Sequence, residues 1–186
     1  MAKTKRKTLP KNFDELIVAG DMEALKAVFD DCEIGAYNDG FIKKPALSYH
    51  KIPDELVRWL VSQGADIEQR DRYGKTPLYH QAGSSCGNME LFLELGADIE
   101  AQENFGTTPL FHACSALKPQ NARILIAHGA SIECADRLDK RTPLAEILTT
   151  CRGGLIPKTA EIAEMLLIAI CENKRKTNTQ NAQYHG

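Results

Sequence analysis

The chain has 186 residues and a formal net charge of −2 at pH 7, with 43% hydrophobic and 26% charged residues. A net charge this small does not indicate a protein that binds nucleic acid or a membrane surface. The length fits one elongated domain. No apolar run approaches the roughly 20 residues that a membrane-spanning helix needs. The first residues lack the apolar segment of a secretory signal, so we expect a cytoplasmic protein.

The first predicted segment is a basic, flexible tail over residues 1–11. Its cations are Lys3, Lys5, Arg6, Lys7 and Lys11. Such a tail can act as a nuclear localisation signal or bind phosphate, but solvated basic termini are more common. Nucleic-acid binding through this tail is therefore kept as an alternative function.

Residues 12–39 have the apolar spacing of a helical pair. Apolar residues recur from Phe13 to Phe29, and Gly20-Asp21 interrupts them as a turn signal. The pattern predicts helices near residues 12–19 and 22–31. The polar face of the pair is acidic, which suits a terminal unit at one end of a stack.

The second unit, residues 40–70, is less regular. Lys44-Pro45-Ala46-Leu47 precedes a predicted second helix that contains Trp59, the single tryptophan. A lone tryptophan is a candidate binding residue, but at this position burial between units is the favoured interpretation.

Two phrases then recur in phase, both of them between Gly74 and Asp136 and one of them also upstream at Gly64. One is G-x-T-P-L, beginning at Gly74 and Gly106, and the other is G-A-[DS]-I-E. The second phrase begins at Gly64, Gly96 and Gly129, at intervals of 32 and 33 residues. A repeat of this length predicts a solenoid of stacked units.

Each phrase has a local structural role. The Thr of T-P-L is predicted to cap a helix whose first turn contains the Pro. The Gly of the other phrase follows an apolar run, where a helix ends in the left-handed conformation. The predicted unit is therefore a helix, a turn, a second helix and a short hairpin-like loop.

These residues resemble the ankyrin repeat, closely over 74–136 and more loosely on either side. The chain departs from the family where T-P-L-H is usual, and again where Asn often follows the G-A-D-hydrophobic sequence. Tyr79, Phe111 and Ala145 stand in place of the His, and Glu68, Glu100 and Glu133 in place of the Asn. Any modification that the family undergoes at that Asn is therefore not expected here. The resemblance implies an all-α ankyrin-repeat solenoid of about five helix-turn-helix repeats with short loops.

The predicted repeat domain spans residues 12–171, followed by a polar, flexible tail over 172–186. Its repeats are residues 12–39, 40–70, 71–102, 103–135 and 136–171. The third and fifth repeats carry irregular loops, at residues 83–87 and 151–157. An enzyme, or an enzyme subunit with a site in these loops, is a second alternative function.

No catalytic, cofactor or metal site is predicted. The six cysteines form no C-x-x-C pair, as in free thiols of a reducing compartment. His112 and Cys114 are two positions apart on one helix and cannot face the same ligand. The carboxylates recur with the repeat, as scaffold residues do, whereas an active site is normally unique. We therefore expect neither an enzyme nor a cofactor.

The predicted function is protein–protein interaction on the concave face formed by the loops and first helices, where partners of the family usually dock. Counting places one apolar residue at an equivalent position in four loops: Phe41, Tyr73, Phe105 and Leu138. The other predicted contact residues are Arg70, Arg72, Lys75, Asn104, Thr107, Arg137 and Lys140. The basic ones predict an acidic surface on the partner protein, and the chain is expected to be monomeric.

Overall fold

The computed structural model of the chain describes residues 4–85, 87–150 and 156–184. This part is mostly helical, as predicted. The helices are α1 (Phe13–Ala19), α2 (Met22–Asp31), α3 (Asp54–Ser62), α4 (Pro77–Ala82), α5 (Met89–Glu94), α6 (Pro109–Ser115), α7 (Pro119–Ala127), α8 (Pro143–Thr150) and α9 (Ile156–Tyr184). Two strands, β1 (Arg6–Thr8) and β2 (Cys32–Tyr37), and a 3-10 turn at Ala46–Ser48 complete the described elements.

The T-P-L phrases begin helices, as the sequence predicts. The hydroxyls of Thr76 and Thr108 accept hydrogen bonds from the backbone N–H three residues later, at 3.3 Å in each case. Thr142 caps α8 in the same way. Each hydroxyl satisfies one of the free N–H groups at the helix start, and the following Pro needs no partner there.

The G-A-[DS]-I-E phrases end helices. Gly96 has φ +88°, and the N–H of the following Ala97 donates to the carbonyl of Phe92 at 3.0 Å. Glycine adopts this left-handed conformation without the strain that a Cβ would add. The same pattern of bonds recurs at Gly64 and Gly129.

The helical pairs stack side by side. Helix α4 packs against α6 and α6 against α8, while α5, α7 and α9 form a second row behind them. Leu78 and Leu110 are fully buried between the rows. Burial of such a side chain contributes roughly 1.5–3 kcal/mol, so neighbouring pairs stabilise each other through this core.

Recurring glutamates also join neighbouring units. Glu68 Oε1 accepts a hydrogen bond from Asp98 N at 2.8 Å, and Glu100 Oε1 accepts one from Ser131 N at 2.5 Å. Two of the three recurring glutamates, Glu68 and Glu100, therefore join neighbouring units, which agrees with their interpretation as scaffold residues.

The N-terminal segment corrects the prediction of a chain without strands, and one of the strands lies in the segment predicted to be a tail over residues 1–11. Strand β1 pairs in parallel with β2, and Leu9 is buried. Strand β2 follows α2, and the backbone groups along its edge are free to pair with the N-terminal segment. Leu9 N, just after β1, donates to Tyr37 O at the end of β2 at 2.8 Å. Lys5 Nζ also donates to Phe29 O at 2.6 Å, at the end of α2.

Helix α9 continues to Tyr184, into the segment predicted to be a tail over residues 172–186. No Gly or Pro occurs between Glu172 and Tyr184 to end it. In the second unit, Lys44 offers no capping hydroxyl where the last three units have Thr, and only the 3-10 turn forms. None of the described helices combines the length and the apolar character needed to cross a membrane.

Candidate protein-binding surface

Backbone hydrogen bonds join the loops between successive units into a continuous row. In each bond an N–H of one loop donates to a carbonyl of the loop before it. The pairs are Arg72 N to Ile42 O at 2.8 Å, Asn104 N to Tyr73 O at 2.9 Å, and Arg137 N to Phe105 O at 2.8 Å. The loop tips are therefore fixed relative to one another by the main chain.

These bonds correct the predicted alignment of Phe41. Ile42, the acceptor to Arg72, is the equivalent of Tyr73 and Phe105, so Phe41 is one position out of register. The first loop has its own turn, in which Lys43 has φ +56° and donates to Gly40 O at 3.2 Å. Counting from the repeat phrases could not detect this turn.

The corrected apolar row consists of Ile42, Tyr73, Phe105 and Leu138. All four side chains are exposed; Phe105 is 50% and Leu138 70% accessible to solvent. Phe41 is exposed beside the row, and the guanidinium of Arg72 lies over its ring at 4.0 Å. The predicted exposure of apolar residues at the loop tips is confirmed.

A buried acidic residue organises each of the last three tips. Asp71 Oδ1 accepts from Tyr73 N at 2.8 Å, and Asp136 Oδ1 accepts from Leu138 N at 2.8 Å. Glu103 Oε1 accepts from Phe105 N at 2.9 Å. These turns place each apolar side chain outside the loop. An acidic residue two positions before each tip was a visible signal that the sequence interpretation missed.

A groove of about 380 Å³ lies between the apolar row and the first helices of the last three units. Its lining residues are Tyr73, Lys75, Tyr79, Glu103, Phe105, Thr107, Phe111, Asp136, Leu138, Asp139, Arg141 and Glu146. Apolar and aromatic side chains from loops and helices thus meet charged side chains in one concavity. Such a composition resembles the mixed core and rim of a protein interface.

The predicted site residues divide into two groups. Five of them line the groove: Tyr73, Lys75, Phe105, Thr107 and Leu138. The other six lie along or beside the loop row: Phe41, Arg70, Arg72, Asn104, Arg137 and Lys140. Sequence reasoning missed the helical and acidic part of the groove, which is Tyr79, Glu103, Phe111, Asp136, Asp139, Arg141 and Glu146.

Two of the predicted basic contact residues, Arg70 and Arg137, hold the loops together. Arg70 Nη1 donates to Gly74 O at 3.0 Å and to Gln102 O at 2.6 Å. Arg137 Nη2 donates to Gln102 Oε1 at 3.1 Å. A change at either arginine therefore disturbs the loop row as well as any partner contact.

The groove is acidic. Among the described residues that line it, four carboxylates stand against the two cations Lys75 and Arg141. Arg141 is already paired with Glu146 at 3.0 Å, and it also donates to Asp139. The charge of the groove is thus opposite to that expected for a protein that recognises an acidic surface.

Burial keeps the nearby titratable rings neutral at pH 7. Desolvation raises the pKa of Tyr79 to about 12, and its hydroxyl hydrogen-bonds Thr107 Oγ1 at 2.8 Å. Desolvation also lowers the pKa of His80, and it lowers the pKa of His112 to about 4. His80 Nε2 donates to Asp71 Oδ2 at 2.9 Å, so this imidazole stiffens the loop.

The irregular loops proposed as alternative sites are described in part. Asn121 Nδ2 donates to the carbonyls of Gln81, Ala82 and Ser84, which ties the loop 83–87 to α7. Cys86, and residues 151–155 of the loop 151–157, lie outside the described residues. Within the described ranges, no group of three or more His, Cys, Asp or Glu is arranged to hold a metal ion.

In comparisons with known proteins, no protein-family model and no curated protein matches the chain.

Proposed function

We propose that this chain is an ankyrin-type solenoid that acts as an adaptor, binding another protein through the apolar row and the adjoining groove. The observation that carries the proposal is the exposed row of Tyr73, Phe105 and Leu138 beside a 380 Å³ groove. A turn at each loop tip requires no large apolar side chain. Three such side chains in register, facing one concavity, are better explained by a partner than by folding.

The arrangement favours a protein partner over a small molecule. The groove is lined by residues of three successive units, and the row continues beyond it to Ile42. Aromatic residues near the centre of a surface with a charged rim are typical of interface hot spots. The rigid loop row would reduce the ordering cost of association, because its main chain is already hydrogen-bonded.

The proposal includes a monomer in the cytoplasm. The location is supported by the cysteines of the described residues, all of which are free, with Cys32 and Cys114 buried in the core. Free buried thiols are typical of proteins in reducing compartments.

The proposal is tested by capturing partners from the source cell and comparing their affinity for variants. Tyr73→Ala combined with Phe105→Ala removes the two aromatic side chains of the row. Hot-spot side chains contribute about 2 kcal/mol or more each, so affinity should fall well over tenfold.

Val18→Ala combined with Leu167→Ala is the matched control. Both residues are exposed and apolar, but they belong to α1 and α9 rather than to the groove. The control should keep the wild-type affinity. Unchanged affinity of the Tyr73, Phe105 variant, with its helix content and unfolding midpoint intact, would contradict the proposed surface.

A further inference from the structure

The acidic residues of the three loop tips differ in how their second oxygen is used. Asp71 Oδ2 hydrogen-bonds His80 Nε2 at 2.9 Å, and Asp136 Oδ2 accepts from Arg141 N at 3.1 Å. Both aspartates therefore use both oxygens within their own unit.

Glu103, at the equivalent position of the middle unit, is different. Its Oε1 accepts from Phe105 N, Thr107 N and the Thr107 hydroxyl at 2.9–3.1 Å. Its Oε2 is buried and has no hydrogen-bond partner among the described residues, and the whole residue is only 4% exposed. Leaving a buried acceptor without a hydrogen-bond partner destabilises the folded chain, and more so when the group is charged.

This carboxylate stands in the wall of the groove described above. Four aromatic rings line the same groove, those of Tyr73, Tyr79, Phe105 and Phe111. The neighbouring cations do not satisfy Glu103: Lys75 Nζ lies 5.3 Å from the centroid of the Tyr79 ring, and Arg141 is paired with Glu146. The wall thus combines aromatic faces, an excess of carboxylates and one unsatisfied acceptor.

We infer that this part of the groove receives a basic side chain, lysine or arginine, from the partner protein. This inference rests on the proposed function and specifies its partner. A guanidinium or ammonium would donate to Glu103 Oε2, and the aromatic rings would contact the cation through their faces. The partner is therefore a protein with a basic segment, contrary to the acidic surface that the loop arginines predict.

Binding has to rearrange Glu103, because Oε2 is covered in the free chain. The N–H groups of Phe105 and Thr107, which donate to Oε1, report on that change directly. The probes are three capped pentapeptides, Ala-Ala-X-Ala-Ala with Arg, Lys or Gln at X, titrated into the labelled full chain and followed by NMR. We expect the Arg and Lys peptides to shift both amide resonances, and the Gln peptide to leave them in place.

Glu103→Gln is the informative variant, because its amide oxygen can keep the three bonds that Oε1 accepts while the charge is lost. Its affinity for the Arg and Lys peptides should fall at least tenfold. Glu103→Asp introduces the residue found at the two equivalent tips, where the second oxygen is used within its own unit, so it should also lose selectivity for basic over neutral peptides.

Equal shifts with all three peptides on the wild-type chain would overturn the inference, whether or not the variants fold. Undiminished binding of Arg and Lys by a folded Glu103→Gln variant would also overturn it. Either result leaves the proposed function standing if Tyr73→Ala with Phe105→Ala still abolishes capture of the protein partner. If that double variant still captured the protein partner and still bound the basic peptides, the proposed function itself would be contradicted.

Discussion

The ring of Tyr79 lies flat against the imidazole of His112, with centroids 4.5 Å apart and an interplanar angle of 12°. The two side chains belong to the first helices of neighbouring units, α4 and α6. Space for the imidazole comes from Gly83, where an added Cβ would lie 2.3 Å from His112 Nε2. The stacked pair of rings therefore joins two units directly behind the groove.

The buried imidazole of this ring pair predicts a pH dependence of stability. Burial lowers the pKa of His112 from 6.5 to about 4. Between these values the unfolded chain binds a proton that the folded chain does not, so stability is complete above pH 6.5 and falls as the pH drops towards 4. His112→Phe keeps a ring on Tyr79 without this titration. Its free energy of unfolding should fall less steeply below pH 6.5, by up to about 1.4 kcal/mol per pH unit.

Urea unfolding at pH 7.5 and pH 5 measures this difference. His128→Gln removes an imidazole from an exposed position and serves as the control. Identical pH slopes for the wild-type chain and His112→Phe would show that the His112 imidazole titrates normally in the folded state.

Leu110 tests the core between the helix rows. The residue is fully buried in α6, whereas Leu148 in α8 is 63% exposed. Leu110→Ala should destabilise the chain by about 2–5 kcal/mol, and Leu148→Ala by less than about 1 kcal/mol. Chemical denaturation of the two variants is the measurement. Equal midpoints for both would mean that Leu110 is not part of the core.

Ala substitutions at Gly74 and Gly129 separate the cost of backbone strain from the cost of steric crowding. Both have positive φ, but a Cβ at Gly74 would lie 2.4 Å from Asn104 Oδ1, whereas one at Gly129 meets nothing within 4 Å. Ala at Gly129 should cost on the order of 1 kcal/mol, and Ala at Gly74 should cost more because it also disturbs the next loop. Thermal unfolding of the pair provides the comparison. A smaller loss at Gly74 than at Gly129 would argue against close contact between successive loops.

The cysteines should react in the order of their exposure. Cys171 is exposed and Cys134 half-buried, whereas Cys32 and Cys114 are buried, and desolvation raises the pKa of Cys114 to about 12. Alkylation followed by peptide mass analysis should label Cys171 first and Cys114 only after unfolding. Rapid labelling of Cys114 in the native chain, or a disulfide at any of the four, would contradict this structure.

The helical units were predictable because their signals are local. Thr before Pro-Leu, and Gly after an apolar run, each determine a helix end within a few residues. The helices predicted near 12–19 and 22–31 correspond closely to α1 and α2. The pairing of β1 with β2 was not predictable from such signals, because it joins segments more than 20 residues apart through backbone groups alone.

The candidate surface was predictable in part for the same reason. The exposed tips Tyr73, Phe105 and Leu138 follow from the repeat, whereas Phe41 was misplaced by one position because its loop has a different turn. The acidic wall was missed because its charge balance depends on pairings across units and loops, such as that of Arg141 with Glu146.

The most direct test of the central claim is amide hydrogen exchange of the full chain, alone and with the captured partner. We predict that the partner slows exchange in the loops around Tyr73, Phe105 and Leu138, and leaves the second-row helices α5, α7 and α9 unchanged. Protection confined to those second-row helices, with the three loop tips exchanging as in the free chain, would contradict the proposed surface.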